Sequence, residues 1–228
     1  MPSSRAFSCR LSITGAHNQN EKVHILEIYP TIGTHLNSEH ILAFDKLDGS
    51  NIRAEWTRKN GFNKFGTRRR LLDPAEPVLG EAVALFQEKY ADSLNHIFRK
   101  ERMMKATAFF EFHGENSFAG QHEDEEHDVT LFDIHNYKQG LLTGSEFMKL
   151  VGNRVETVPV LWEGKVNSGF IKKVIESSLE GMTFEGVVCK GKLDNRNRPN
   201  NFKIKTDAWL YRLKDKCGDD EEMFKTLR

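Results

Sequence analysis

The chain has 228 residues, 38% of them hydrophobic and 29% charged, and its 33 basic and 33 acidic side chains cancel to a net charge of zero. That length holds one substantial core, or one core and a small appendage, and no apolar run approaches the roughly 20 residues of a membrane helix. Met1-Pro2-Ser3-Ser4-Arg5 lacks the apolar block of a secretory signal, and Cys9, Cys189 and Cys217 have no paired spacing. The composition therefore argues against a membrane partner, a disulfide framework or a zinc site, and predicts a cytoplasmic setting. Although the net charge gives no argument for nucleic acid, the signs are segregated. Arg68-Arg69-Arg70, Arg99-Lys100, Lys190 to Lys192, Arg196, Arg198, Lys203 and Lys205 form basic clusters, and Glu123 to Glu126 an acidic block. Local basic surface is what attracts a phosphate backbone.

In chain order, Ile25 to Pro30 reads as a short extended segment ending at a turn, Ile41 to Phe44 leads into Lys46, and Asn51 to Thr57 alternates as a half-buried strand. Pro74 and Pro77 precede a long helical pattern, with Leu79, Val83, Phe86, Tyr90, Leu94 and Ile97 at three- and four-residue steps. Strands follow at Ala106 to Phe112, Val129 to Ile134, Val158 to Trp162, Phe184 to Lys190 and Asn201 to Thr206. Thr143 to Glu146 has the spacing of a capping box, and Asn167 can cap a second helix through Phe170, Ile171, Val174 and Ile175. With no repeat, linker or regular βαβ alternation, the pattern predicts an α+β fold of largely antiparallel sheet.

The chemistry concentrates in Phe44-Asp45-Lys46-Leu47-Asp48-Gly49-Ser50-Asn51. A lysine in Lys-x-Asp-Gly between β-prone segments has the pattern of an amine that attacks a nucleotide phosphate. Such an amine must lose a proton, which burial or a neighbouring cation favours by lowering its pKa. Gly49 lets backbone approach a ligand, while Asp48 and Ser50 can fix sugar or phosphate positions. Four more segments follow: Gly66-Thr67-Arg68, Phe109 to Gly114, Leu131-Phe132-Asp133-Ile134 and Glu185 to Lys190. Asn201-Phe202-Lys203-Ile204-Lys205 closes the series.

In that order the segments closely resemble the covalent nucleotidyltransferases: RNA ligases, DNA ligases and mRNA capping enzymes. The resemblance spans roughly Ile25 to Lys205, and the ordered set is far more specific than any member. It implies a nucleotidyltransferase (ATP-grasp-like) fold and ATP with Mg2+ or Mn2+ as cofactors. Lys46 would be the nucleophile toward the α-phosphate of ATP, with Asp45, Asp48, Gly49 and Asn51 around the nucleotide. Lys203 and Lys205 resemble the paired lysines of the last motif, and alternation puts both on one strand face. The resemblance gives Glu111 to the ribose and Glu185 to the divalent metal, and we expect both carboxylates to serve as metal ligands. Phe132 resembles the aromatic that stacks on adenine, and Arg68 a phosphate-binding arginine, with Arg69 and Arg70 either extending its patch or solvated. His113 is compatible with lining the pocket or with packing. The segment His122 to Asp128 reads as a charged surface loop, and Trp56, Trp162 and Trp209 as core or edge packing.

Asn51 separates the relatives. DNA ligases and capping enzymes usually carry arginine at that position, whereas RNA ligases of the nick-sealing phage and kinetoplastid-editing type carry asparagine. Tyr29-Pro30 and Phe132-Asp133-Ile134 look like the same group. Asp48 is more typical of DNA ligases. The first expectation is therefore an ATP-dependent RNA ligase acting on nucleic acid with 5′-phosphate and 3′-hydroxyl ends. A minimal DNA ligase, a GTP-using capping-type enzyme and a catalytically silent end-binding domain stay as alternatives. The stretch after Lys205 is shorter than the roughly 40 residues a minimal domain needs. A single adenylyltransferase domain over 1–228 is thus expected, with a core at about 25–206 and a short helical tail at 207–228. The expectation includes no C-terminal oligonucleotide-binding (OB) domain, and a possible accessory partner in its place.

Overall fold

A computed structural model describes residues 40–117, 122, 124–196 and 198–227; the predicted segment Ile25 to Pro30 lies outside them. The architecture is α+β, with two antiparallel sheets that meet at the Lys46 turn. The first sheet has the order β7-β1-β8-β9, from β7 (Val160–Lys165), β1 (His40–Lys46), β8 (Gly186–Leu193) and β9 (Pro199–Lys205). In the second the order is β3-β2-β4-β5-β6, from β3 (Gly61–Gly66), β2 (Ser50–Thr57), β4 (Lys105–His113), β5 (Asp128–Asn136) and β6 (Gly140–Leu141). The chain leaves the first sheet at Lys46 and enters the second at Ser50, so Leu47-Asp48-Gly49 is the crossover between them.

Each sheet buries its outer face under helices. Ile52, Ala54 and Trp56 of β2 are fully buried with Phe86, Tyr90, Leu94 and Phe98. These last four belong to α1 (Leu79–Phe86), a π-helical turn (Gln87–Ala91) and α2 (Asp92–Lys100). Each such side chain contributes about 1.5–3 kcal/mol on leaving water. The predicted helical stripe is thus on the core, but the helix is not continuous. The π-turn carries Tyr90, whose hydroxyl donates to the Val129 carbonyl and accepts from the Leu131 amide, both at 3.3 Å. A residue inserted into the helical repeat lets that hydroxyl reach main chain inside the core. Behind the first sheet, Ile41, Ala43, Val187, Cys189 and Phe202 pack with Phe170 and Val174 of α4 (Ser168–Ile175).

The predicted strand at Val158 begins at Val160, because Val158 instead donates its amide to the Leu131 carbonyl at 3.0 Å. Sequence reading misses β3 and β6: β3 is polar at its centre, and β6 has only two residues. Both predicted caps form. Thr143 and Glu146 make a reciprocal capping box at the start of α3 (Gly144–Val151), and the Asn167 side chain accepts from the Phe170 amide at 2.9 Å. After β9 the described residues form α5 (Asp207–Cys217) and α6 (Glu221–Leu227).

Thr143→Ala leaves the α3 amides without their acceptor and should lower stability by about 1 kcal/mol; urea unfolding of the two proteins measures this.

Candidate active site

Strand register sets up the site. Across the first sheet Lys46 lies opposite Gly186, and Gly186 opposite Lys205, so the two lysines flank a residue with no side chain. Glycine is required there: φ is +138°, and a Cβ would come within 2.1 Å of the Ile204 carbonyl oxygen. The preceding residue, Glu185, uses the opening. Its carboxylate accepts from Lys46 Nζ at 2.7 Å and pairs with Lys205 Nζ at 2.9 Å, with its side chain 5% exposed. Main-chain and side-chain bonds fix this segment from both sides. The Thr206 amide donates to the Glu185 carbonyl at 3.1 Å, the Thr206 hydroxyl to the Phe184 carbonyl at 2.9 Å, and the Thr183 amide to Asp45 Oδ1 at 3.1 Å.

The charges respond to one another. Burial acts to lower the pKa of Lys46, but Glu185, Glu111 and Asp48 outweigh it and hold the amine above its ordinary value. This corrects the expectation that burial or a neighbouring cation lowers it: carboxylates, not cations, dominate around Nζ. The other lysines behave oppositely. Burial and the charge of Lys46 lower Lys203, and Lys205 is pushed down to about 8 by burial, with Glu185 opposing and Lys46 assisting. Burial drives Glu111 up to about 8 against the pull of Lys46. Burial likewise raises Asp45, against its bond from Thr183.

One cleft of about 310 Å³ is lined by Asp45, Lys46, Asp48, Gly49, Asn51, Arg68, Glu111, Phe132, Glu185, Lys203 and Lys205, while Ser50 is not among its residues. β1, β8 and β9 supply its lysine side, and β2, β4 and β5 the opposite wall. Asn51 and Glu111 are direct cross-strand neighbours. Gly49 has a different reason from the expected one. A Cβ there would lie 2.3 Å from the Phe112 carbonyl oxygen, so the close approach is to β4 rather than to a ligand.

A β-bulge shapes the apolar end. Phe109 pairs with Asp133 and Phe110 with Leu131, leaving Phe132 as the extra residue of β5. A bulge re-aims side chains, and here Phe132 lines the cleft, its ring stacked on Phe109 with centroids 6.3 Å apart. Asp133, fully buried, pairs with Lys190 at 2.9 Å. Lys190 also donates to the Phe132 carbonyl at 2.5 Å and sits 4.7 and 4.6 Å from the ring centroids of Phe44 and Phe147. The assignment of Lys190 to a basic surface cluster is therefore corrected: it is 3% exposed and belongs to the floor of the cleft. Burial lowers its pKa, and Asp133 opposes that shift. Its alternation in phase with Val188, another cleft residue, is the signal that could have found it.

Trp209 also serves the site beyond packing: it lines the cleft, and Lys205 Nζ stands 3.6 Å from its ring centroid. Thr226 and Leu227 close the same end, and Lys205 donates to the Leu227 carbonyl at 2.9 Å. No sequence motif announces that contact. His113 is not among the cleft residues; its Nε2 is 2.8 Å from Thr130 Oγ1. Arg70 points away to Glu76, and Arg69 is exposed. In the predicted charged loop, His122 contacts Glu125 and His127 contacts Glu81.

Among the described residues no three side chains cluster as a metal cage. The carboxylates present suit a cation held by one or two protein oxygens, with phosphate and water completing its shell, as Mg2+ prefers. Lys190→Met leaves Asp133 buried without its lysine and should lower stability by about 3–5 kcal/mol, which calorimetry checks.

No curated protein matches the chain significantly. Three solved structures of an RNA ligase from Naegleria gruberi share the fold. A mutant form with ATP and Mn is 19% identical with a TM-score of 0.57, covering 78% of this chain and 53% of that one. A mutant form with AMP and Mn is 18% identical with a TM-score of 0.58 and the same coverage. The form with PPi is 18% identical, also at 0.58, covering 78% of this chain and 52% of that one. The chain thus spans about half the length of these ligases. The family model described as RNA ligase matches residues 39–205, from the first described strand through both cleft lysines of β9. This chain belongs to the RNA ligase family.

Proposed function

We propose that the protein is an ATP-dependent RNA ligase that works through a lysyl-adenylate on Lys46. The observation that carries this reading is the single carboxylate, Glu185, shared by Lys46 at 2.7 Å and Lys205 at 2.9 Å beside Lys203. One amine is thereby held between a proton acceptor and further cations that suit a phosphate. Family membership and the ATP, AMP, Mn and PPi named with the Naegleria gruberi ligase structures support the same choice of nucleotide.

In the first step Lys46 Nζ, having given its proton to the Glu185 carboxylate or to water, attacks the α-phosphorus of ATP. A phosphorus–nitrogen bond forms, the bond to the bridging oxygen of pyrophosphate breaks, and pyrophosphate leaves. Lys203, Lys205 and Arg68 stabilise charge on the phosphates, with Lys205 exchanging the Leu227 carbonyl for a phosphate oxygen. Phe132 stacks on the adenine, worth about 1–3 kcal/mol. Glu185 and Glu111 are the residues that would hold Mg2+ or Mn2+, which when bound offsets the negative charge of the triphosphate. AMP then passes to a 5′-phosphate end of RNA, and attack by a 3′-hydroxyl releases it as the strands join.

With ATP labelled at the α-phosphate, the protein should acquire covalent label, and Lys46→Ala should lose it while keeping its circular dichroism spectrum. Label that persists in the variant overturns the assignment. GTP and NAD as donors, and nicked DNA as acceptor, separate the capping-type and DNA ligase readings in the same assay. Lys205→Ala should slow labelling by on the order of 10²–10³-fold, the loss typical of removing one preorganised stabilising group. Chelation by EDTA should stop labelling, and added Mg2+ or Mn2+ should restore it.

A further inference from the structure

Arg53 carries a guanidinium that is only 1% exposed, and it does not line the cleft. It lies on β2 two residues beyond Asn51, on the strand face opposite the core residues Ile52 and Ala54. Among the described residues its carboxylate neighbour is Glu55, with Oε1 3.5 Å from Nε, and neither Nε nor Nη2 has a hydrogen-bond partner there. Burying a guanidinium so sparsely paired is expensive, so the hydrogen bond it makes within the described residues is informative. Nη1 donates to the carbonyl of Thr67.

Arg53 reaches that carbonyl past Gly66, its cross-strand neighbour. A Cβ on Gly66 would lie 2.7 Å from both Cζ and Nη2 of Arg53, and 2.7 Å from the Arg70 carbonyl oxygen. Beyond Gly66 the chain turns tightly. The Thr67 amide donates to the Arg70 carbonyl at 2.9 Å, and the Thr67 hydroxyl accepts from the amides of Arg69 and Arg70 at 3.2 and 3.3 Å. Arg68 is the one residue of this turn's arginine run that lines the cleft, while Arg70 is held outside by Glu76.

We propose that Arg53 is a positioning residue: by anchoring the Thr67 carbonyl through the gap left by Gly66, it aims Arg68 into the cleft. This rests on the reading in which Arg68 binds phosphate, of the nucleotide or of the RNA end. The arrangement explains why a cation is buried under an exposed turn. A guanidinium has donors in a rigid fork and keeps its charge when desolvated, so it can reach and hold a main-chain oxygen where a lysine would be a looser tether.

A double-mutant cycle tests it. Arg53→Met, Arg68→Ala and the pair are compared with the unaltered full chain, with Arg53→Lys as the conservative variant. Two quantities are read: the rate of covalent labelling from ATP, and the affinity for an RNA duplex bearing a 5′-phosphorylated nick. Each single variant should weaken at least one of them by roughly tenfold, the same one for both, as loss of a hydrogen bond to a charged group does. The pair should be no worse than Arg68→Ala beyond about twofold, because contacting partners are not additive. Arg53→Lys should recover part of the loss. Losses that multiply, an Arg53→Met protein that behaves normally, or an Arg68→Ala protein unchanged in both measurements would each overturn the proposal. If Arg53→Met does not fold, Arg53→Gln, which removes the guanidinium fork and its charge but stays polar, replaces it in the cycle. An unaltered protein that takes no label but shows the coupling in RNA affinity defeats the lysyl-adenylate reading and leaves the positioning role standing.

Discussion

The site is organised around one carboxylate serving two ammonium groups. Glu185 reaches Lys46 and Lys205 at once because glycine follows it and leaves the space between the lysines unfilled. Taking such groups largely out of water costs less when opposite charges are in direct contact. Hence the bonds from Thr183 and Thr206 that fix the backbone around Glu185 are as much part of the site as the charges themselves. The same arrangement explains the opposite shifts of the lysines. Lys46 sits among carboxylates and is held protonated, while Lys203 and Lys205 feel burial and their neighbouring cation.

The fold serves that arrangement by splitting the work between sheets. The first carries the lysines on β1 and β9, and the second carries Asn51, Glu111 and Phe132, with the turn after Lys46 joining them. α1, α2 and α4 cover the outer faces, while α3 packs beside the cleft through Phe147 on Phe44. Lys190 and Asp133 link the two sheets beneath it, and the Lys190 bond to the Phe132 carbonyl ties the apolar end to the same framework. Polar groups buried this way rigidify a wall only when each is satisfied, and here the lysine meets a carboxylate, a carbonyl and two aromatic faces.

Much of this was legible in the sequence because it is local. The three- and four-residue steps from Val83 to Ile97 gave a core-facing helix, Thr143 with Glu146 gave the capping box of α3, and alternation gave Lys203 and Lys205 a common face. What escaped was not local. The π-turn exists because the Tyr90 hydroxyl finds main-chain partners about forty positions along the chain. The bulge at Phe132 depends on how β5 meets β4, and Lys190 looked like surface charge because Asp133 is a partner only in space.

By itself the sequence determined which chemical groups the protein brings: an amine in Lys-x-Asp-Gly, two carboxylates in apolar segments, a paired-lysine strand and an aromatic, in an order that resembles the covalent nucleotidyltransferases. Those assignments rest on residue type and short spacing, which the chain carries whatever its fold. Only the tertiary structure decided how the groups act on each other. Lys46 and Glu185 stand 139 positions apart in the chain and 2.7 Å apart in space. The direction in which Lys46 is shifted, the burial of Lys190 and Arg53, and the approach of Leu227 to Lys205 all depend on such distances. Electrostatic energy varies with separation and dielectric, and neither is written in residue order.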